Sequence, residues 1–327
     1  MALRFGLAPP RYRGGVPRAP REVTGRLTRA PLADCIQFDH TRASLPIDLI
    51  CCRVPDSNPI LRFDFRPDGV DDLQRPLVFR DPVEVVTASE LEDVLPVLAR
   101  VEAATDAGQW AAGFVAYEAA PAFDSALRVK GSPSVPLLWF GLFDGPESAA
   151  QPESGQEGGP SSGDPAVFYL GEWEADVEPS EYHRTIGLIR EAIGAGNTYQ
   201  VNYTLRLSAS FQGDALGLYH RLRTAQGPAY SAYLDIGQTK IVSASPKLFF
   251  RRREAHVTCR PMKGTARRGR WAEEDSTARN EVLTSEKERA ENAMIFDLIR
   301  NDLGRISEYG SVRASDVFEV EPYVAVH

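Results

Sequence analysis

Lysine is scarce in this 327-residue chain. Only five of its 37 basic residues are lysine, at positions 130, 240, 247, 263 and 287. Each therefore stands out against an arginine background. Cysteine is scarce as well, and the four present, Cys35, Cys51, Cys52 and Cys259, make no CxxC pair and no metal-ligand spacing. Adjacent Cys51 and Cys52 are poorly placed to bridge each other, so reduced thiols and a cytoplasmic location are expected. Five histidines, none in HxxxH or HExxH order, leave no zinc signature. No run of about 18 apolar residues occurs, which disfavours a membrane partner. The net charge of -8 repels phosphate backbones and disfavours a nucleic-acid partner. With 43% hydrophobic and 25% charged residues, the chain has a globular balance and length for one large domain or two ordinary ones. Small-molecule chemistry is the class these absences leave.

Residues 1 to 30 hold seven arginines and one acid, but neither serine nor an apolar signal core. They fit a disordered tail, or translation from a start codon placed too far upstream, better than a secretion or transit signal, and residues 1-75 are read as an Arg-rich, poorly ordered extension. From Pro76 the pattern sharpens. "PLVFRDPVEVV", "WAAGFVAYEAAPAF" and "VPLLWFGLFDG" read as β segments bounded by Gly and Pro. Between the first two, "SELE" at Ser89 to Glu92 has the capping-box spacing, and Pro96 predicts a kink or a later helix start. Residues 76-144 form one portion of the fold. Residues 145-170, opening with a Gly-, Pro-, Ser- and Glu-rich stretch, are read as a flexible linker. Residues 171-327 form the second portion.

In that portion Ser180 is the expected N-cap of a helix with Tyr182, Ile186, Ile189 and Ile193 on one side, ending at Gly196. "YQVNYTLRLSASF", Tyr199 to Phe211, alternates throughout and predicts a long strand. Strand, turn and strand signals then follow from Tyr230 to Arg260 as an antiparallel meander. A second capping box, Ser285 to Glu288, opens a helix with Ala290, Met294 and Leu298 at four-residue steps.

Three features have chemical potential. Lys263, in "RPMKGTARRG", follows a predicted strand and precedes Gly264, which permits close approach of a ligand. A lysine there acts as a nucleophile where burial or neighbours favour its neutral amine, and is otherwise a solvated loop charge. Glu288 and Glu291, three apart on one helix face, suit a hard cation such as Mg²⁺, although a capping box alone explains Glu288. The arginines after Lys263 allow an anion-binding loop, without the residue order of a P-loop.

The ordered set "GNTYQVNYT", "SASPKLFF", "RPMKGTARRG", "EKERAENAMIFDLIRNDLGR" and "VFEVEPYVAVH" resembles the chorismate-utilising enzymes, and among them component I of aminodeoxychorismate synthase. The resemblance covers roughly residues 76-327. It implies an α+β fold like that of anthranilate synthase, with large antiparallel sheets facing each other, outer helices, and the active site between. It further implies that Lys263 attacks C2 of chorismate, that Gly264 and Thr265 help position the substrate, and that Glu291 contacts Mg²⁺ with Glu288 beside it. The implied activity is amination of chorismate to 4-amino-4-deoxychorismate, for p-aminobenzoate and folate synthesis, with ammonia from a glutamine amidotransferase subunit. In anthranilate synthases, by the same resemblance, alanine stands at the Lys263 position.

Two departures from the family pattern set the alternatives. Family members carry glutamate where this chain has Lys247, and that glutamate donates a proton to the leaving hydroxyl. An ammonium, with a reference pKa of about 10.4, is a poor acid at neutral pH. The chain also stops at His327, at or beside the family's active-site histidine, so an incomplete fold is expected. The alternatives are an inactive fragment or remnant of the family, and component I of anthranilate synthase in tryptophan synthesis.

Overall fold

The computed structural model describes residues 2-3, 23-27, 58-65, 76-130, 134-147, 168-226, 230-245, 247-315, 318 and 320-321. It divides into two units: Met1–Ser154 with Leu222–His327, and Gly155–Arg221. In chain order the first unit opens with β1 (Ala2–Leu3), β2 (Val23–Arg26), β3 (Ile60–Phe65), β4 (Leu77–Phe79), β5 (Glu84–Ala88) and α1 (Leu91–Asp106). β6 (Trp110–Val115), a 3-10 turn at Tyr117–Ala122 and β7 (Leu138–Phe143) follow. The second unit carries β8 (Phe168–Leu170), β9 (Glu174–Ala175), α2 (Pro179–Gly194), β10 (Leu207–Ser208), β11 (Phe211–Gly213) and the start of α3 (Ala215–Gln226). The first unit resumes with β12 (Tyr230–Asp235), β13 (Lys240–Ser245), β14 (Leu248–Arg253), β15 (His256–Arg260), α4 (Ala272–Thr284), α5 (Glu286–Ile306) and β16 (Arg313–Ala314).

Three four-stranded antiparallel sheets build the first unit, ordered β1-β6-β7-β5, β13-β12-β3-β4 and β14-β15-β2-β16. β7, "LWFGLF", is buried at every position because both its faces are covered. On one side Leu138, Phe140 and Leu142 meet Val94, Val101 and Ala104 of α1. On the other, Trp139 and Phe143 meet Leu61, Phe63, Phe79 and Leu234 of the second sheet. The two sheets thus face each other across one core with α1 outside. Phe79 is its centre, fully buried and with ring centroids 5.0 Å from Phe143, 5.9 Å from Trp110 and 6.2 Å from Phe63. The third sheet packs Val23, Val257 and Cys259 against Phe296 and Leu303 of α5.

Several expectations change. Residues 1-75 are not simply an appendage, since β2 lies between β15 and β16, and β3 between β12 and β4. Arginine-rich flanks hid them because a short strand needs only a few inward side chains, here Val23, Leu61 and Phe63, whatever its average polarity. Buried Asp64 is held by Arg62 at 2.8 Å and Arg223 at 3.3 Å. The long strand over Tyr199 to Phe211 does not form. Only Leu207–Ser208 and Phe211–Gly213 pair, with β9 and β8, and Tyr199 is 85% exposed. Alternation marks two faces but supplies no ladder partner. Most of the expected linker lies outside the described residues, and its last three residues are β8.

The helix ends also shift. α1 starts one residue later than its motif predicts, with Glu90 as N-cap and no side-chain cap, so Ser89 lies outside the box. Pro96 then falls in the second turn of a continuous helix. α2 uses Glu178 as N-cap and Pro179, rather than Ser180, at its start, because proline's fixed φ suits the first helical position. Gly196, at φ +75°, closes it: its N–H donates to the Ile193 carbonyl, and that of Asn197 to the Ala192 carbonyl. The predicted meander splits into two hairpins in different sheets, β12–β13 and β14–β15. Among the described residues no helix is long and apolar enough to cross a membrane.

Candidate active site

The β14–β15 hairpin and the first turns of α5 build the site. Leu248 pairs with Arg260, so Lys247 and Lys263 leave the hairpin at the same end. Lys263 lies three residues past β15, half-buried, in an irregular turn rather than on the strand itself. Arg260 donates from Nη1 to the Tyr230 hydroxyl at 3.2 Å, tying this hairpin end to the start of β12.

Gly264 follows with φ +77°, a conformation glycine adopts without a side-chain clash. A Cβ there would stand 2.7 Å from Glu288 Oε2, so the turn lies directly against this carboxylate. Thr265 is exposed beside it. α5 brings the acids into place. Ser285 caps the helix, accepting from the Glu288 N–H at 3.3 Å, as the motif predicts. The reciprocal half of the box has no need of Glu288, because the Ser285 N–H donates to the Glu281 carbonyl at 2.9 Å. The bland explanation of Glu288 therefore loses its main support.

Glu288 and Glu291 are both about three-quarters buried, and their Oε1 atoms lie 3.6 and 3.7 Å from the Lys287 ammonium. One positive charge already reaches both carboxylates. Because Lys287 is 76% exposed, that contact is worth under about 1 kcal/mol and yields readily to a stronger cation. Two carboxylate oxygens, completed by water and substrate oxygens, are what Mg²⁺ commonly takes from protein. No group of three or more His, Cys, Asp or Glu suited to a metal occurs among the described residues.

The buried stripe of α5 is Asn292, Phe296 and Leu303, with Ile299 and Ile306 beside them. It is not the predicted Ala290, Met294 and Leu298, of which Leu298 is 55% exposed. Asn292 is thus a site residue that the wrong stripe concealed. It is only 6% exposed; its Nδ2 donates to the Lys263 carbonyl at 3.4 Å, while its Oδ1 is buried with no hydrogen-bond partner. A buried orphan acceptor costs about 1–3 kcal/mol. Asn292 and Glu288 also line one small pocket with Val282, Leu283, Arg289, Phe318 and Val320.

The anion-loop reading weakens. Arg268 makes two bonds to Asp275, at 2.7 and 2.9 Å, and Arg270 pairs with Glu274 at 3.2 Å. The Arg270 N–H, and then the Arg270 guanidinium, hold the Glu274 carboxyl below its usual value. Two of the three arginines therefore serve the start of α4. Lys247 is exposed, its N–H bonded to Ser245 Oγ at 3.1 Å. His327 lies outside the described residues.

A facing-sheet α+β fold with a lysine turn against Glu288, the first of two neighbouring helical carboxylates, defines a class before any particular enzyme. The family profile of chorismate binding enzymes matches residues 71–327, and the chain belongs to that family. It is 37% identical over 155 residues to aminodeoxychorismate synthase component 1 of Klebsiella aerogenes, covering 47% of this chain and 34% of that protein. It is 36% identical over 151 residues to anthranilate synthase component 1 of Aquifex aeolicus, covering 46% and 31%. The matched segments thus span about a third of these relatives' lengths. Anthranilate synthase component I of Streptococcus pneumoniae shares the fold, with a TM-score of 0.52 and 20% identity over 90% of this chain and 72% of that one.

Proposed function

We propose that the chain carries the chorismate-aminating site of an aminodeoxychorismate synthase, with Lys263 as nucleophile. The observation that carries this reading is the contact of the Lys263–Gly264 turn with Glu288 and Asn292 of α5. A turn that carries an amine beside a carboxylate suits a substrate that is a cation-bound dianion. The Lys263 amine forms a bond to C2 of chorismate as the C4 hydroxyl departs with a proton as water. Ammonia, supplied by a glutamine amidotransferase subunit, then bonds to C4 while the C2–N bond breaks and the amine returns. The balance is chorismate plus ammonia to 4-amino-4-deoxychorismate plus water, two easier steps replacing one.

Glu291 with Glu288 would hold Mg²⁺, which neutralises substrate carboxylate charge when bound. Thr265, exposed beside Gly264, would bond a substrate oxygen. Lys247 supports a second reading, a member of the family that binds without turnover, because it offers no carboxyl to protonate the departing hydroxyl. The test is intact-mass analysis of the protein held with chorismate and Mg²⁺ without ammonia. One chorismate-derived adduct per chain, mapped to Lys263 and absent from Lys263→Ala, supports amination. Release of anthranilate with ammonia, undiminished in Lys263→Ala, would instead assign the anthranilate reaction. Binding of chorismate with neither adduct nor product would assign the inactive reading.

A further inference from the structure

We infer that Asn292 is a positioning residue that fixes the Lys263 turn on α5, so that the lysine and the two glutamates act as one unit. The inference rests on the reading of Lys263 as the nucleophile. Asn292 occupies a core position, four residues before Phe296 on the stripe that packs against β2 and β15. An apolar side chain there would leave no orphan acceptor, yet the chain places an amide whose Oδ1 has no hydrogen-bond partner. What the amide gains is the bond from Nδ2 to the Lys263 carbonyl.

That bond crosses 29 residues of sequence and joins the hairpin exit to the helix. Glu288 lies one turn before Asn292, and Glu288 is the residue against which Gly264 closes. The turn is therefore gripped on both sides of the Lys263–Gly264 peptide, by an amide on its carbonyl and a carboxylate beside the next Cα. The bond and the contact together hold the backbone that carries the Lys263 side chain.

Reductive methylation of the whole chain by formaldehyde and cyanoborohydride, followed by peptide mass analysis, resolves all five lysines separately. In Asn292→Leu, similar in volume and without polar atoms, Lys263 should be methylated about two- to tenfold faster, the loss of one ordinary hydrogen bond. Lys130 and Lys240 should keep their rates, and the melting temperature should hold or rise because the orphan acceptor is gone. An unchanged Lys263 rate in a folded variant overturns the inference. So does a parallel rise at all five lysines, which makes Asn292 a general packing residue. If the leucine variant does not fold, Asn292→Ala removes the donor without adding bulk or charge, and its Lys263 rate is read against Lys130 and Lys240 in the same way. The labelling needs no chorismate, so an absent chorismate adduct sinks the proposed function and leaves this result standing.

Discussion

Replacing Gly264 by alanine separates two costs that the structure superimposes at this position. The first is conformational: a Cβ at φ +77° clashes with its own backbone, at about 1–2 kcal/mol. The second is the contact with Glu288, whose Oε2 would lie 2.7 Å from the new carbon and whose Cβ and Cδ would lie 3.4 Å away. Gly310 supplies the control, because it has φ +76° and nothing within 4 Å of its added Cβ. Gly310→Ala should therefore carry the first cost alone. In Gly264→Ala the clashing atom is the end of a flexible side chain, so Glu288 turns away at an added cost of at most about 1.5 kcal/mol. Urea unfolding should show both variants destabilised, with Gly264→Ala lower by no more than that amount. The larger difference should be in cation binding. Mn²⁺, read by the loss of its free paramagnetic signal, should bind Gly264→Ala about tenfold more weakly, the effect of about 1.4 kcal/mol. Gly310→Ala should bind it as the unmodified protein does. Equal Mn²⁺ affinity in the two variants, with both folded, would refute the packing of this turn on Glu288.

Three further outcomes follow from single contacts. Ser285→Ala should cost about 1 kcal/mol in urea unfolding, because Ser285 caps α5, while Ser89→Ala should cost little, because α1 has no side-chain cap. Under the proposed function, Lys247→Glu puts a carboxyl at the hairpin end, and steady-state amination of chorismate should gain about 10²-fold in kcat, the lower range for general acid catalysis; no gain would show that the proton comes from elsewhere. Burial pushes the Cys259 thiol up from 9.0 to about 11, with Asp302 adding to it. Its proton is held more tightly in the folded chain, so its stability contribution is complete below pH 9 and is lost as pH rises from 9 toward 11. At pH 8 a peptide map after thiol alkylation should find Cys259 unmodified until denaturant is added.

Much of the fold was legible where one physical signal sufficed. The apolar run at Leu138–Phe143 had to be covered on both faces, and it is. The turn signal "DIGQ", Asp235 to Gln238, formed a turn because Gly237 takes φ +99° and the Asp235 carboxylate accepts from its N–H. Where two segments had to find each other, sequence said less. β2 pairs with strands more than 160 residues distant, and β3 with one equally remote as well as with neighbouring β4; no pattern within "VTGR" or "ILRFDF" names the distant partners. Tyr199 to Phe211 shows the converse, a perfect alternation left mostly unpaired. Strand pairing is a property of two segments, while alternation is a property of one.

The site repeats this division, and α5 shows how more could have been read. Lys263, Glu288 and Glu291 were legible as residue types, but the contact of the lysine turn with Glu288 depended on which helix face turned inward. A stripe through Ala290, Met294 and Leu298 points that face to solvent, where a capping box alone suffices to explain Glu288. The stripe through Phe296, Ile299, Leu303 and Ile306 continues, one turn at a time, back to Asn292 and Glu288. A core stripe that becomes polar over its first two turns is a physical anomaly, because burying an amide and a carboxylate costs energy that leucine avoids. The anomaly has a local cause: the apolar part of α5 packs on β2 and β15, and the polar part meets the turn that follows β15. The third sheet anchors the helix, its strand end delivers the lysine, and the same stripe that is core at Phe296 becomes the wall of the site at Glu288.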